Sequence, residues 1–304
     1  MKCFHSKILP NILNDEASLP LWKGKLSCDM PLDENVLSST EIIHCESLPA
    51  DAMRSAHTRG YLQKIVNGQL DLKEQLLLGL RLTPEVYPLV SSSVNATISS
   101  CLAALSESVA VSLSGGMHNA YEDFGINYSI FNDIAIAAKV LREMYPQISI
   151  LIIDTDADHG AGTNSMLNDD PLTKTFSFHS YGSRKPCFLS DYDVTVARYI
   201  DGSSYMDLLM DRLATALERS TPDLVIWVSG VSAHYLDQSR LMRLTASELF
   251  YRDMLISKAL IKNGIPLAVL LGGGNNENPI LTGKLHRNTI AAVKHNEQLY
   301  SPSV

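Results

Sequence analysis

A single open, mainly parallel sheet with helices on both faces is the α/β architecture this sequence predicts, and three observations predict it. Four short apolar runs each stop at small or polar residues, helix-period segments lie between them, and no internal repeat or Gly/Ser/Pro-rich linker divides the chain. The expectation is therefore one domain over residues 1–304.

Taken in order, the first hundred residues are interrupted by Pro10, Pro20, Pro31 and Pro49 and read as a layer of helices and loops. The first apolar run, residues 109–113, precedes Ser114-Gly115-Gly116. The second, 148–153, precedes Asp154. The third, 224–228, precedes Ser229-Gly230, and the fourth, 267–271, precedes Gly272-Gly273-Gly274. Continuous apolar runs of this length are the mark of parallel strands covered on both faces. Helical periodicity occupies residues 131–144, 205–219 and 245–263. The last of these opens with the capping box Thr245-x-x-Glu248 and closes at Gly264, suited to the left-handed position after a helix. The tail from Tyr300 to Val304 reads as frayed.

Composition narrows the functional classes. At 45% apolar and 19% charged residues the chain can build a large soluble core, and a net charge of −8 without any basic run argues against nucleic acid as a partner. The cysteines Cys3, Cys28, Cys45, Cys101 and Cys187 are odd in number and form no Cys-x-x-Cys pair, which suggests reduced thiols in a cytoplasmic protein. No signal-peptide pattern opens the chain, and no stretch is expected to span a membrane.

The most informative segment follows the second run. Asp154, Asp156 and Asp158, with His159 next to them, crowd three carboxylates at a strand end, where like charges repel. A metal ion, a buried cation or a catalytic proton relay would each account for them, and a solvated acidic turn is the bland alternative. In open α/β sheets ligands collect beyond the carboxyl ends of the strands. That geometry should bring residues 114–119, 154–159, 229–234 and 272–275 to one crevice. Gly272 to Gly274 read as a tight turn and, with no Gly-Lys-Ser or Gly-Lys-Thr following, not as a phosphate loop.

These blocks, with Ala56-His57-Thr58-Arg59-Gly60-Tyr61, Ser114-Gly-Gly-Met-His118-Asn119, Phe131-Asn-Asp-Ile-Ala135, Thr175-Phe-Ser-Phe-His179, Ser190-Asp-Tyr-Asp193 and Arg252-Asp253, resemble the histone deacetylase family, its bacterial and class IV branches included. The resemblance covers nearly the whole chain and implies the arginase/deacetylase fold. It also implies hydrolysis of acetyl-lysine or another acylated amine by zinc held through Asp, His and Asp, with a His pair, a Tyr and a potassium ion nearby.

Carried over residue by residue, the zinc positions fall on Asp156, Asp158 and Ser232, so that a carboxylate replaces the histidine and a hydroxyl replaces the second aspartate. Zinc is expected to bind weakly to such a set. Three alternatives stand: a relic beside a structural cation, an oxygen-ligated magnesium or calcium, or zinc with His159 or His234 recruited. The His pair becomes His118-Asn119, the catalytic Tyr becomes Asn275, and the partner of the second His becomes Ala161. Asp154 matches the carboxylate that orients His118. Asp154, Asp156, Asp158, Ser177 and Phe178 match the potassium positions.

The tunnel wall reads Asn127-Tyr128-Ser129, with Tyr128, Gly116, Gly273 and Gly274 as substrate-facing candidates. His159, His179 and His234 are expected to be structural or rim residues. A metal-free arrangement of Ser232 as nucleophile, His118 as base and Asp154 as orienter is a further expectation. The chain is thus expected to act on a small acylated amine, amide or ester by altered chemistry. The alternative is an inactive relative that binds or regulates, with a homo-oligomer left open.

Overall fold

The computed structural model describes residues 1–7, 36–183 and 188–300. Pro10, Pro20, Pro31, Cys28, Cys187 and the last four residues lie outside these. An open sheet of eight strands runs in the order β2-β1-β3-β8-β7-β4-β5-β6. Its strands are β1 (Lys2–Ser6), β2 (Ile42–Cys45), β3 (Val109–Ser112), β4 (Ile150–Asp154), β5 (Thr173–Ser180), β6 (Tyr192–Val196), β7 (Leu224–Val228) and β8 (Leu267–Leu270). All the pairings between them are parallel.

Eight α-helices connect and cover the strands among the described residues: α1 (Arg59–Asn67), α2 (Leu72–Leu78), α3 (Val86–Glu107), α4 (Asp133–Met144), α5 (Ala161–Leu167), α6 (Gly202–Ser220), α7 (Ala246–Lys262) and α8 (Pro279–Tyr300).

The apolar runs are continuous because the sheet is buried on both faces, and the pleat divides them. Ala110, Ile150, Ile152, Leu224, Ile226, Val228, Ala268 and Leu270 face one core with α3 and α4. Their neighbours Val109, Val111, Leu151, Ile153, Val225, Trp227, Leu267 and Val269 face the other, with α6, α7 and α8. The helices form where local signals agree with this packing. Thr245 caps α7 by accepting from the Glu248 amide at 3.2 Å, and Gly264 after its end has φ +67°.

Three expectations change. The first hundred residues supply strands β1 and β2 at one edge as well as helices, because short strands with polar residues such as Lys2, His5 and His44 carry little apolar signal. Strands β5 and β6 and helix α8 are likewise additional to the expected elements. Finally, α3 is long and apolar enough by length and composition to cross a membrane, but 61% of its apolar window is buried in this fold. Its serines become buriable by donating back to their own helix, Ser92 to the Leu89 carbonyl at 2.8 Å and Ser100 to that of Thr97 at 2.8 Å. Cys3, Cys45 and Cys101 are buried and form no disulfide.

Candidate functional site

The loops after β3, β4, β7 and β8 meet at the carboxyl end of the sheet. Each is anchored by side chains of the elements behind it. Asp133, in the first turn of α4, accepts from the amides of Gly116 at 2.8 Å and Met117 at 2.7 Å and from the Thr97 hydroxyl at 2.5 Å. The Asn132 amide donates to the carbonyl of Ala120 and to Thr163 Oγ1, both at 3.0 Å, while its carbonyl caps α4. The backbone that carries His118 is thus clamped from below. Arg252, fully buried, donates to the carbonyls of Gly230 at 2.8 Å and Thr155 at 3.2 Å and pairs with Asp253 at 2.8 Å, bolting the β4 and β7 loops together.

His118 Nδ1 lies 2.6 Å from Asp154 Oδ2, and both side chains are buried. Burial alone would lower the basicity of this imidazole. The charge and hydrogen bond of Asp154, reinforced by Asp156 and Asp158, outweigh burial and raise the pKa to about 10. A pKa raised in this way favours the imidazolium, a proton donor, at neutral pH.

Asp156 is the pivot of the cluster. Its Oδ1 accepts a short hydrogen bond from the Ser232 hydroxyl and another from the Asp158 amide at 3.1 Å, and its Oδ2 accepts from the Gly273 amide at 2.8 Å. Three of the roughly four lone-pair positions of a carboxylate are thereby filled by the protein itself. Glycine is needed around it. A Cβ at Gly273 would come within 2.5 Å of Asp156 Oδ2, and so would one at Gly230, whose φ of +50° already favours glycine.

Ser232 has its one proton committed to Asp156 and accepts from the Ala157 amide at 2.9 Å. It is therefore not hydrogen-bonded to His118, and the expected Ser232–His118–Asp154 triad is not assembled. The inherited zinc set does not fit zinc either. Asp156 keeps one of its roughly four lone-pair positions, a carboxylate at Asp158 stands in for an imidazole, and Ser232 offers a neutral hydroxyl.

The remaining residues divide. Asn127 reaches Asp158 at 3.5 Å, whereas the Tyr128 ring packs near Gly79 and borders a small hollow with Met117, Ile130 and Phe131. Gly116 packs on Gly272, and Gly274 on Val231. The backbone N–H of Asn275 donates to Asp237 Oδ2 at 2.6 Å, drawing that residue towards a neighbouring loop. Asn119 is half-buried, its amide 3.4 Å from Ser129 Oγ. Ser177 is the register partner of Asp154, but its hydroxyl lies 3.1 Å from His179 Nδ1. Phe178 is buried against Tyr205.

A hollow of about 210 Å³ is bordered by Asp158, Ser232, Gly182 and Leu241. A larger one, about 950 Å³, lies among the loops after β6, β7 and β8, with Arg198, Arg240, Arg243 and Asp237 on its walls. His118 lines neither. Sequence reasoning missed the clamps Asp133 and Asn132, although their motif was visible. It also missed the pairing of His159 with Asp193, although both residues lie in blocks that the family resemblance singled out.

The family model of the histone deacetylase domain matches residues 23–287. An uncharacterised protein of Picosynechococcus is 30% identical over 268 residues, covering 87% of this chain and 88% of its own. The acetoin utilization protein AcuC of Staphylococcus aureus is 25% identical over 270 residues, covering 81% of this chain and 69% of its own. AcuC of Staphylococcus xylosus is 27% identical over 179 residues, 55% of this chain and 46% of its own. The chain belongs to the histone deacetylase family.

Proposed function

We propose that this chain acts on a small acylated amine, or a related amide or ester, by chemistry that does not use the family's zinc. The observation that carries the reading is the state of Asp156. Where a metal ligand would keep its lone pairs for an ion, this carboxylate takes three hydrogen bonds from Ser232, Asp158 and Gly273. The positive charge such a crowd of carboxylates requires is supplied by His118 instead, held on Asp154 at 2.6 Å.

In this reading Asp154 fixes His118 through Nδ1, leaving Nε2 as the ring atom that meets a ligand. The imidazolium then stabilises negative charge developing on an acyl oxygen or delivers a proton to a leaving amine. Asp158, on the wall of the smaller hollow, suits a ligand that carries an ammonium group. Asn119 and Asn275 are the amides left at the positions of the lost His and Tyr, and a cytoplasmic location accords with the free thiols. The family typically uses metal ions. Of these, potassium is the one the reading retains. Because the side chains of Asp154 and Ser177 are already engaged, backbone carbonyls around Phe178 would hold it.

A second reading, a binding or regulatory relative without turnover, is favoured by one observation. The Ser232 proton is committed to Asp156, so the expected nucleophile is not poised. Assaying the purified chain on acetyl-lysine peptides, acetylated polyamines and small acyl esters, with chelator and with added zinc, separates the readings. Turnover that survives chelation and falls with His118→Gln is expected. Acetate release that requires zinc would refute the metal-independent reading, and ligand binding without turnover on any substrate would establish the second.

A further inference from the structure

We propose that His159, His179 and Asp193 form a transition-metal site of the two-histidine, one-carboxylate kind that takes zinc, separate from the inherited set at Asp156, Asp158 and Ser232. The proposal does not depend on the functional reading above. It revises the expectation that both histidines are merely structural.

The three residues come from three neighbouring elements at the far side of the sheet: the loop after β4, the end of β5, and β6. Asp193 is the register partner of Ser177, two residues from His179 on the same face of β5, so the pleat fixes two of the donors on a rigid frame. One donor atom from each residue lies within 4.8 Å of the others. His159 Nε2 is 2.8 Å from Asp193 Oδ1 and His179 Nε2 is 3.9 Å from Asp193 Oδ2, which brackets the ~3.4 Å between neighbouring donors of a tetrahedral zinc.

The surroundings already orient these ligands in the manner of a metal site's outer shell. His179 Nδ1 is tied to the Ser177 hydroxyl at 3.1 Å, and Asp193 Oδ1 accepts from the Ser190 hydroxyl at 2.8 Å and the Ser190 amide at 3.2 Å. The His179 and His159 rings meet edge to face, with centroids 4.5 Å apart.

Both histidines of the cluster are buried and its donors converge from three elements, as an ion requires. The His159 side chain is 1% exposed and its Nδ1 has no hydrogen-bond partner, so that nitrogen can carry the ring's proton when Nε2 coordinates. The Asp193 side chain is 18% exposed on the edge strand, which provides a way in for the ion. Filling the site displaces the proton between His159 Nε2 and Asp193 Oδ1, which moves to the unpartnered Nδ1 of the same ring.

The test uses the full chain, stripped by chelator and titrated with zinc and then with cobalt, reading bound metal and the cobalt absorption spectrum. The wild type and Asp156→Asn should each bind one ion. Asp193→Asn and His179→Ala should bind at least about 100-fold more weakly. Equal binding by all four proteins, loss of binding in Asp156→Asn alone, or no ion bound by the wild type would overturn the proposal. Should the variants fail to fold, anomalous scattering at the zinc edge from wild-type crystals decides. A peak between His159, His179 and Asp193 supports the site, and a peak at Asp156 or none at all overturns it.

Discussion

Replacing Asp154 by Asn removes the negative charge that holds His118 protonated while keeping the side-chain shape. In the folded chain the imidazole pKa is raised from 6.5 to about 10, which at 1.36 kcal/mol per pH unit is roughly 5 kcal/mol. The carboxamide still accepts the Nδ1 hydrogen bond, so the expected loss at pH 6 lies near the lower end of the roughly 3–5 kcal/mol typical of removing one partner of a buried pair. The sign follows from the direction of the change. Because the folded value exceeds the unfolded one, the stabilisation is complete below pH 6.5 and disappears as pH rises through about 10. Urea unfolding between pH 6 and pH 10.5 should therefore show wild-type stability falling towards that of Asp154→Asn, which stays flatter. Ring resonances of His118 followed by NMR should titrate near the upper end of that window in the wild type alone. Parallel stability curves for the two proteins, or a wild-type ring that titrates near 6.5, would refute the assignment of His118 as an imidazolium.

Other perturbations probe the frame around the dyad. Arg252→Ala leaves Asp253 buried without its cation and frees the Thr155 and Gly230 carbonyls, so a loss of about 3–5 kcal/mol is expected in denaturant unfolding. Gly230→Ala combines a positive φ with a Cβ 2.5 Å from Asp156 Oδ2 and should cost roughly 1–3 kcal/mol, read as a lowered melting temperature. Ser232→Ala takes one donor from the Asp156 carboxylate, and a decrease of about 1–3 kcal/mol is expected by urea titration. Thr245→Ala removes the cap of α7 and should cost about 1 kcal/mol without altering ligand binding at the crevice, checked by unfolding and calorimetry together.

Much of this protein is legible from local chemistry. The apolar runs that became β3, β4, β7 and β8 announce themselves because a strand covered on both faces must be apolar throughout, and Thr245 and Gly264 mark the ends of α7 by backbone geometry alone. The short strands β1, β2 and β6 carry polar side chains and lie at or near the sheet edges, so their pairing is decided by neighbours distant in the chain. The position of each candidate residue at the carboxyl end of the sheet follows from topology, and Asp154 with His118 follows from the family motif.

What the sequence by itself determined is the family, the parallel sheet and which carboxylates gather at its end. Only the tertiary structure decided how those groups are shared. The Ser232 hydroxyl and the Gly273 amide, brought from distant loops, join the neighbouring Asp158 amide on Asp156, and buried negative charge raises the basicity of His118. Which donor meets which acceptor depends on distances of a few ångströms between segments up to 117 residues apart, as between Asp156 and Gly273. No spacing within the chain encodes such distances.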